Sequence, residues 1–103
     1  MPHPQPTRLS IIIPVFNERS TVGILLDRVW DQSLPHNLSK ELVIVESNST
    51  DGTRAEVQKW CQTRQAEASP LATVKLILQP GPRGKGNAVR EGLAQTTGDI
   101  VLI

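Results

Sequence analysis

Residues 83–93 read Arg83-Gly84-Lys85-Gly86-Asn87-Ala88-Val89-Arg90-Glu91-Gly92-Leu93, and the architecture of the chain can be worked out from this stretch. It follows an apolar run at residues 74–78 and continues with helical spacing, so two glycines and a lysine fall where a strand passes into a helix. Backbone N–H groups at a helix start, together with a lysine, suit the binding of phosphate oxygens. The stretch therefore predicts an α/β unit with an anion site at the end of a strand.

Three further apolar segments predict the other strands. Residues 9–15 are almost uniformly apolar and rich in β-branched side chains, which indicates a strand buried on both faces, and Pro14 is expected to end it. Residues 41–46 predict the second strand, and residues 100–103 predict a fourth. With the run at residues 74–78 as the third, the chain has four predicted strands.

Helical periodicity fills the gaps between these strands. The clearest helix carries apolar side chains at positions i, i+3, i+4, i+7 and i+8, namely Val22, Leu25, Leu26, Val29 and Trp30. Ser20 or Thr21 can cap it. A second helix is expected from residue 55 or 56 to residue 65, capped by Thr50 or Asp51, and a third over residues 87–95. The order β-α-β-α-β-α-β, with right-handed crossovers, predicts a mostly parallel sheet flanked by helices on both sides.

Length and composition indicate a single domain. A chain of 103 residues can bury one modest core, and a net charge of +1 implies neither a nucleic-acid partner nor an acidic membrane surface. The single cysteine, Cys61, cannot form an internal disulfide, which fits a cytoplasmic location, and its helical context predicts a buried apolar side chain. Residues 1–8 are predicted to be a flexible leader, and no apolar run is long enough to cross a membrane.

Three polar clusters follow predicted strands: residues 17–18, residues 46–51 and residues 83–86. In an open α/β sheet the carboxyl ends of the strands meet at the ligand-binding edge, so we expect the clusters to converge. Glu46 ends a buried strand and needs a hydrogen-bonding partner; a nucleoside base or ribose is expected, and a structural contact is the alternative. Arg83 and Lys85 are expected near a diphosphate, with a solvated loop as the alternative for Lys85. For Glu18 the alternative is a first-turn acid that complements the helix dipole.

Several common site types are not supported by the sequence. The GxxxxGK[ST] spacing of a P-loop is absent, and Val89 stands where a G-x-G-x-x-G dinucleotide fingerprint needs its last glycine. His3 and His36 have no partner at metal-ligand spacing, and no serine or cysteine nucleophile motif is present. We therefore assign neither catalytic nor metal-binding residues within the chain.

Taken together, these motifs resemble the amino-terminal part of family 2 glycosyltransferases with the GT-A fold. Residues 10–18 are similar to that family's opening strand and its P-x-[YF]-N-E turn, and residues 42–53 are similar to its second strand and acidic STDGT-type ending. Residues 83–93 and 97–103 resemble the R-G-K-G-x-A-x-R-x-G-L and G-D-I-V segments of the polyprenyl- and dolichyl-phosphate mannosyl- and glucosyltransferase branch. The resemblance covers residues 9–103 and implies a truncated, Rossmann-like nucleotide-binding half.

The resemblance also implies roles for particular residues. The nucleotide pocket would be lined by Pro14, Phe16 and Glu18, the base and ribose would lie near Val45, Glu46 and Ser47, and the diphosphate would lie near Arg83 and Lys85. The family usually has two aspartates where this chain has Glu46 and Ser47. This departure leaves the choice of base open.

The implied activity is transfer of a hexose from a nucleoside diphosphate sugar, GDP- or UDP-hexose, to an acceptor such as a polyprenyl phosphate. A divalent metal, Mg²⁺ or Mn²⁺, would neutralise the leaving diphosphate, with D-x-D ligands expected beyond residue 103. The chain alone is therefore expected to bind a sugar nucleotide weakly and not to turn it over. With a lipid acceptor, the intact protein would work at the cytoplasmic face of a membrane.

Two other functions are compatible with parts of the sequence. A non-catalytic nucleotide-binding or interaction module would use the apolar edge at residues 100–103 to bind a partner. A sugar-phosphate nucleotidylyltransferase shares the α/β layout, but its glycine-rich loop is expected after the first strand, where Phe16, Asn17 and Glu18 stand.

Overall fold

The computed structural model describes residues 7–103, and in them four strands alternate with three α-helices in the predicted order. The elements are β1 (Arg8–Val15), α1 (Val22–Asp31), β2 (Ser39–Glu46), α2 (Thr53–Ala66), β3 (Ala72–Leu78), α3 (Lys85–Ala94) and β4 (Ile100–Leu102), with a 3₁₀ turn at Pro35–Asn37. None of the helices among residues 7–103 has the length and apolar character needed to cross a membrane.

The four strands form one parallel sheet in the order β3-β2-β1-β4. The connections through α1 and α2 place β2 beside β1 and β3 beside β2. The connection through α3 then places β4 on the other side of β1. Helices α1 and α2 pack on each other, whereas α3 packs on β1 and β2. The predicted α/β class, with a parallel sheet flanked by helices, is confirmed.

Two apolar clusters lie on the two faces of the sheet. The larger joins α1 and α2 to the sheet and consists of Ile13, Val15, Val22, Leu26, Leu42, Ile44, Val57, Cys61 and Val74. The smaller lies under α3 and consists of Ile12, Val45 and Ala88. Gly92 brings α3 close to the sheet, because a Cβ at this position would lie 2.6 Å from Ile12 Cγ2 and 3.4 Å from Val45 Cγ2.

The prediction that Pro14 ends the first strand is wrong by one residue, since β1 continues to Val15 and Pro14 is in register with Val45. The carbonyl oxygens of Thr7 and Val15 accept hydrogen bonds from the β2 side. Backbone groups alternate in direction along a strand, so the backbone groups of Pro14, which precedes Val15, point away from β2. On that side β4 pairs only with residues 9–11. The N–H that proline lacks therefore interrupts no hydrogen bond between β1 and β2.

The predicted leader boundary also differs from the structure. Arg8 is already part of β1, and Thr7 donates from its N and Oγ1 to the carboxylate of Asp99, each at 2.9 Å. This contact anchors the first described residues to the segment that leads into β4. Residues 1–6 of the predicted leader lie outside the described residues.

A buried carboxylate, Glu41, fixes the approach to β4. Its Oε1 accepts hydrogen bonds from Ser10 Oγ at 2.9 Å and from Thr97 N at 2.8 Å. Ser10 Oγ in turn accepts from Gly98 N at 2.9 Å, and a Cβ at Gly98 would lie 2.8 Å from the Ser10 backbone nitrogen. Glycine is therefore the residue that lets the chain pass this closely over β1.

Candidate functional site

A groove of about 560 Å³ lies along β1 toward the carboxyl ends of the strands. It opens beside β1 and β4, where the strand order reverses, which is the usual ligand-binding position in an open α/β sheet. Much of its wall is apolar and comes from β1 and α1. The predicted site residues that line it are Pro14, Phe16, Glu18, Ser47 and Lys85.

Asn17 joins the loops that follow β1 and β2. Its left-handed backbone (φ 49°) is a conformation that asparagine tolerates better than most residues. Asn17 N donates to Ser49 Oγ at 2.8 Å, and Asn17 Oδ1 accepts from Thr50 N at 2.8 Å. The next residue, Glu18, donates from its N to Thr53 Oγ1 at 3.0 Å. These bonds hold Phe16 and Glu18 at the mouth of the groove.

The cap of α2 is close to the predicted one. Gly52, with a φ of 94°, is the residue before the helix, and Asp51 Oδ1 accepts from Thr53 N at 3.0 Å. Asp51 therefore satisfies a free N–H of the first turn, but the prediction that Thr50 or Asp51 is the N-cap residue is wrong, because Gly52 occupies that position. Because Thr53 also accepts from Glu18 N, the start of α2 and the mouth of the groove are fixed together.

Glu46 is fully buried, and protein groups satisfy its carboxylate. Oε2 accepts from Asn48 N at 3.0 Å, Oε1 accepts from Ser49 N at 2.8 Å, and Arg54 forms an ion pair with Oε2. Burial alone would raise the pKa of Glu46, but the hydrogen bonds from Ser49 and Arg54 outweigh it and the pKa lies below its ordinary value. The structural alternative thus accounts for this carboxylate, and its contact with a base or ribose stays a prediction.

Val45 and Arg83 do not line the groove. Val45 is fully buried in the cluster under α3, so its side chain supports the site from beneath. Arg83 is exposed on the loop before α3. Their predicted closeness to a base and to a diphosphate stays a prediction.

Gln79 is a residue of the site that the sequence reasoning missed. It follows β3, is 1% exposed, and its Oε1 accepts from Ser47 Oγ at 2.6 Å. Its Nε2 donates to Asn87 Oδ1 in the first turn of α3, at 2.9 Å. The only signal in the sequence is a polar residue between an apolar run and Pro80. Ser47, which lines the groove, is thereby connected to the start of α3, which also lines it.

Helix α3 begins at the groove. Gly84 precedes it with a φ of 88°, which requires glycine, and the helix starts at Lys85, two residues earlier than predicted. No side chain caps this end, so its first-turn N–H groups are free donors, and the first residue of the helix is itself a lysine. Gly84 and Lys85 both line the groove. An anion at this end would meet backbone donors, a lysine and the positive end of the helix dipole.

The described residues 7–103 offer no cluster of three histidine, cysteine, aspartate or glutamate side chains that could hold a metal ion. A divalent cation therefore does not fit a site made by these residues alone. Cys61 is buried, as predicted, and burial raises the pKa of its thiol to about 11. It belongs to the larger apolar cluster rather than to the groove.

The sequence of this chain is similar to that of one protein family and of several characterised proteins. The model of the family described as Glycosyl transferase family 2 matches residues 10–103. The glucosyl-3-phosphoglycerate synthase of Mycobacterium tuberculosis (strain ATCC 25618 / H37Rv) is 31% identical over 94 residues, covering 91% of this chain and 27% of the relative. The dolichyl-phosphate beta-glucosyltransferase of Mus musculus is 28% identical, covering 95% of this chain and 31% of the relative.

A solved structure is similar over nearly the same part. The mannosyltransferase PcManGT from Pyrobaculum calidifontis, in complex with GDP-Man and Mn²⁺, aligns with a TM-score of 0.77 at 34% identity, over 94% of this chain and 26% of that one. The chain thus spans between 26% and 31% of the length of these three proteins.

Proposed function

Because this chain belongs to glycosyl transferase family 2, we propose that its groove binds the nucleoside diphosphate part of a sugar nucleotide. The observation that carries the proposal is the convergence of three loops on one groove. Phe16 and Glu18 come from the loop after β1, Ser47 from the end of β2, and Lys85 from the start of α3. These residues offer contacts for the base, the ribose and the diphosphate of a sugar nucleotide.

Each part of the ligand has a matching group. The side chain of Phe16 is 41% exposed at the groove and offers a face for stacking on a base. Ser47 offers a hydroxyl group to a base edge or a ribose. Lys85 and the uncapped N–H groups of α3 would bind the diphosphate, whose charge they complement.

The proposed activity is hexose transfer from GDP- or UDP-hexose. It is supported by the structural relative whose complex contains GDP-Man and Mn²⁺. A polyprenyl or dolichyl phosphate is the proposed acceptor, since one relative is named for a dolichyl-phosphate reaction, although another is named for 3-phosphoglycerate. A lipid acceptor would place the reaction at the cytoplasmic face of a membrane. The Mg²⁺ or Mn²⁺ of such a reaction would need ligands beyond those described, so we propose that this chain alone does not turn over the donor.

Calorimetric titration with GDP, UDP, GDP-mannose and UDP-glucose tests the proposal. We expect saturable binding that weakens about tenfold in Lys85→Ala, as befits loss of one charge-assisted contact. The matched control is Lys59→Ala, an exposed lysine on α2 outside the groove, which should leave affinity unchanged. Equal affinities of the two variants would show that the diphosphate does not bind at the start of α3.

The edge of the sheet favours a second function, a non-catalytic interaction module. Strand β4 is at the edge of the sheet formed by residues 7–103, and its Ile100 and Leu102 are 41% and 55% exposed. Exposed apolar edges of this kind recruit partners by adding strands. The same titration separates the two functions, because a folded sample that binds no nucleotide at millimolar concentration would favour the module.

A further inference from the structure

Strand β4 and the connection before it are attached to the rest of the chain mainly by polar contacts. We propose that residues 97–103, the β4 segment, open and close as a unit at the edge of β1, and that the carboxylate group of Glu41 keeps this unit closed. Leu102 and Ile103 line the groove, so each opening removes part of its wall. This motion would occur whether or not the groove binds a nucleotide.

Apolar burial contributes little to the attachment of the β4 segment. Its last four residues, Ile100 to Ile103, are between 39% and 63% exposed. Within residues 7–103, the segment pairs with β1 alone, and neither apolar cluster on the sheet includes any of these four residues. Hydrophobic stabilisation scales with the apolar area removed from water, so detaching the segment loses little of it.

Hydrogen bonds at the start of the segment provide the attachment instead. Glu41 Oε1 accepts from Thr97 N at 2.8 Å, and Oε2 accepts from Thr97 Oγ1 at 2.9 Å. Gly98 N donates to Ser10 Oγ at 2.9 Å, and Ser10 Oγ itself donates to Glu41 Oε1. The carboxylate group thus binds Thr97 directly and Gly98 through one serine.

Glu41 is an anion in a buried position. The residue is 1% exposed, and its Oε2 lies 3.3 Å from Lys75 Nζ and 3.8 Å from an Arg8 guanidinium nitrogen. Burial alone would raise the pKa of Glu41, but the hydrogen bonds that it accepts outweigh this, and the pKa lies below its ordinary value. Hydrogen bonds to an ionised acceptor are roughly twice as strong as those between neutral groups.

A second polar attachment of the segment is exposed to water. Asp99 accepts from Thr7 N and Oγ1, and solvent can replace these bonds when they break. Thr97 N is partly buried, and without the carboxylate of Glu41 it would lose its acceptor in the closed segment. An unpaired N–H of this kind is costly, so loss of the carboxylate favours the open segment, where the N–H meets water.

Hydrogen exchange of backbone amides, followed by NMR on the whole chain, tests the proposal. In the wild type, the amides of Thr97 and Gly98 should be at least about tenfold less protected than that of Ile44 in β2. Their exchange should also depend less steeply on urea, because opening exposes less surface than unfolding does. Equal protection and equal urea dependence would show that the segment leaves only when the whole chain unfolds, which would overturn the proposal.

Glu41→Leu removes the acceptor and should raise the ratio of Ile44 protection to Thr97 protection by roughly ten- to hundredfold. Glu46→Leu is the matched control, because it removes another buried carboxylate at the opposite end of β2. It should not lower the protection of Thr97 or Gly98. A loss that is equal at Ile44 and Thr97 in Glu41→Leu would assign Glu41 to the stability of the whole sheet and overturn the proposal.

Thr97→Val gives a readout that does not depend on how well Glu41→Leu folds, because Thr97 is exposed. The substitution removes the bond from Thr97 Oγ1 to Glu41 and keeps the backbone N–H. We expect it to lower the protection of Gly98 by roughly tenfold and to leave that of Ile44 unchanged. Unchanged protection of Gly98 would refute the role of the carboxylate group in closing the segment.

Discussion

Gly92→Ala is the substitution whose effect follows most directly from the packing of α3. The added methyl group would lie 2.6 Å from Ile12 Cγ2, well inside van der Waals contact, and 3.4 Å from both Ile12 Cγ1 and Val45 Cγ2. Ile12 and Val45 are themselves buried in the sheet. Neither side chain has free space to move into, so the helix would have to lift from the sheet or Ile12 would have to leave its rotamer.

Two effects of opposite sign decide the outcome. Replacing a glycine within a helix by alanine favours the helix by about 1 kcal/mol. Forcing an extra carbon into a packed core costs about 1–3 kcal/mol. We therefore expect Gly92→Ala to lower the free energy of unfolding by up to about 2 kcal/mol. Gly23→Ala in α1 adds the same methyl group where nothing lies within 4 Å, and should be neutral or stabilising by up to about 1 kcal/mol.

Urea unfolding followed by circular dichroism at 222 nm measures both variants against the wild type. The helix-propensity effect largely cancels between them, so their difference should be the overpacking cost of about 1–3 kcal/mol, with Gly92→Ala the less stable. Equal stability of Gly92→Ala and Gly23→Ala would refute the close approach of α3 to Ile12.

Two further predictions concern buried polar contacts. The pKa of Glu46 is lower in the folded chain, so its stabilising contribution is complete above about pH 4.5 and is lost as the pH falls below it. Urea unfolding between pH 3 and 6 should show a pH dependence that is shallower in Glu46→Gln than in the wild type by up to about 1.4 kcal/mol per pH unit; an unchanged slope would contradict this. Gly98→Ala should lower the free energy of unfolding by about 1–3 kcal/mol, because its Cβ would collide with Ser10, whereas Gly81→Ala, with nothing within 4 Å, should not.

The order of the elements could be predicted from the sequence because hydrophobic periodicity is a local property. Their boundaries depended on contacts between distant residues. Pro14 stays in β1 because its missing N–H would face away from β2, and the sequence carries no sign of that geometry. Helix α3 begins at Lys85 because Gly84 turns the chain with a φ of 88°, which shortens the predicted loop.

The candidate site was predictable in position but not in its internal bonding. Polar residues at strand ends had to meet at one edge of the sheet, and Phe16 and Lys85 do line one groove. The partner of Glu46 could not be predicted, because Arg54 reaches it only once α2 has packed beside β2. Gln79 carries no motif, and its importance comes from its burial between Ser47 and Asn87.

The pairing of β1 with β4 affects how the chain can fold during synthesis. Thr7 and Asp99 are 92 positions apart, so their contact forms only after nearly all of the described chain exists. Strands β1, β2 and β3 are joined by consecutive crossovers and can assemble earlier, which leaves one side of β1 without a neighbour. At a translation rate of roughly 5–20 residues per second, making α3 and β4 takes on the order of seconds. For that interval β1 is an apolar edge inside an unfinished sheet, open to mispairing with another nascent chain.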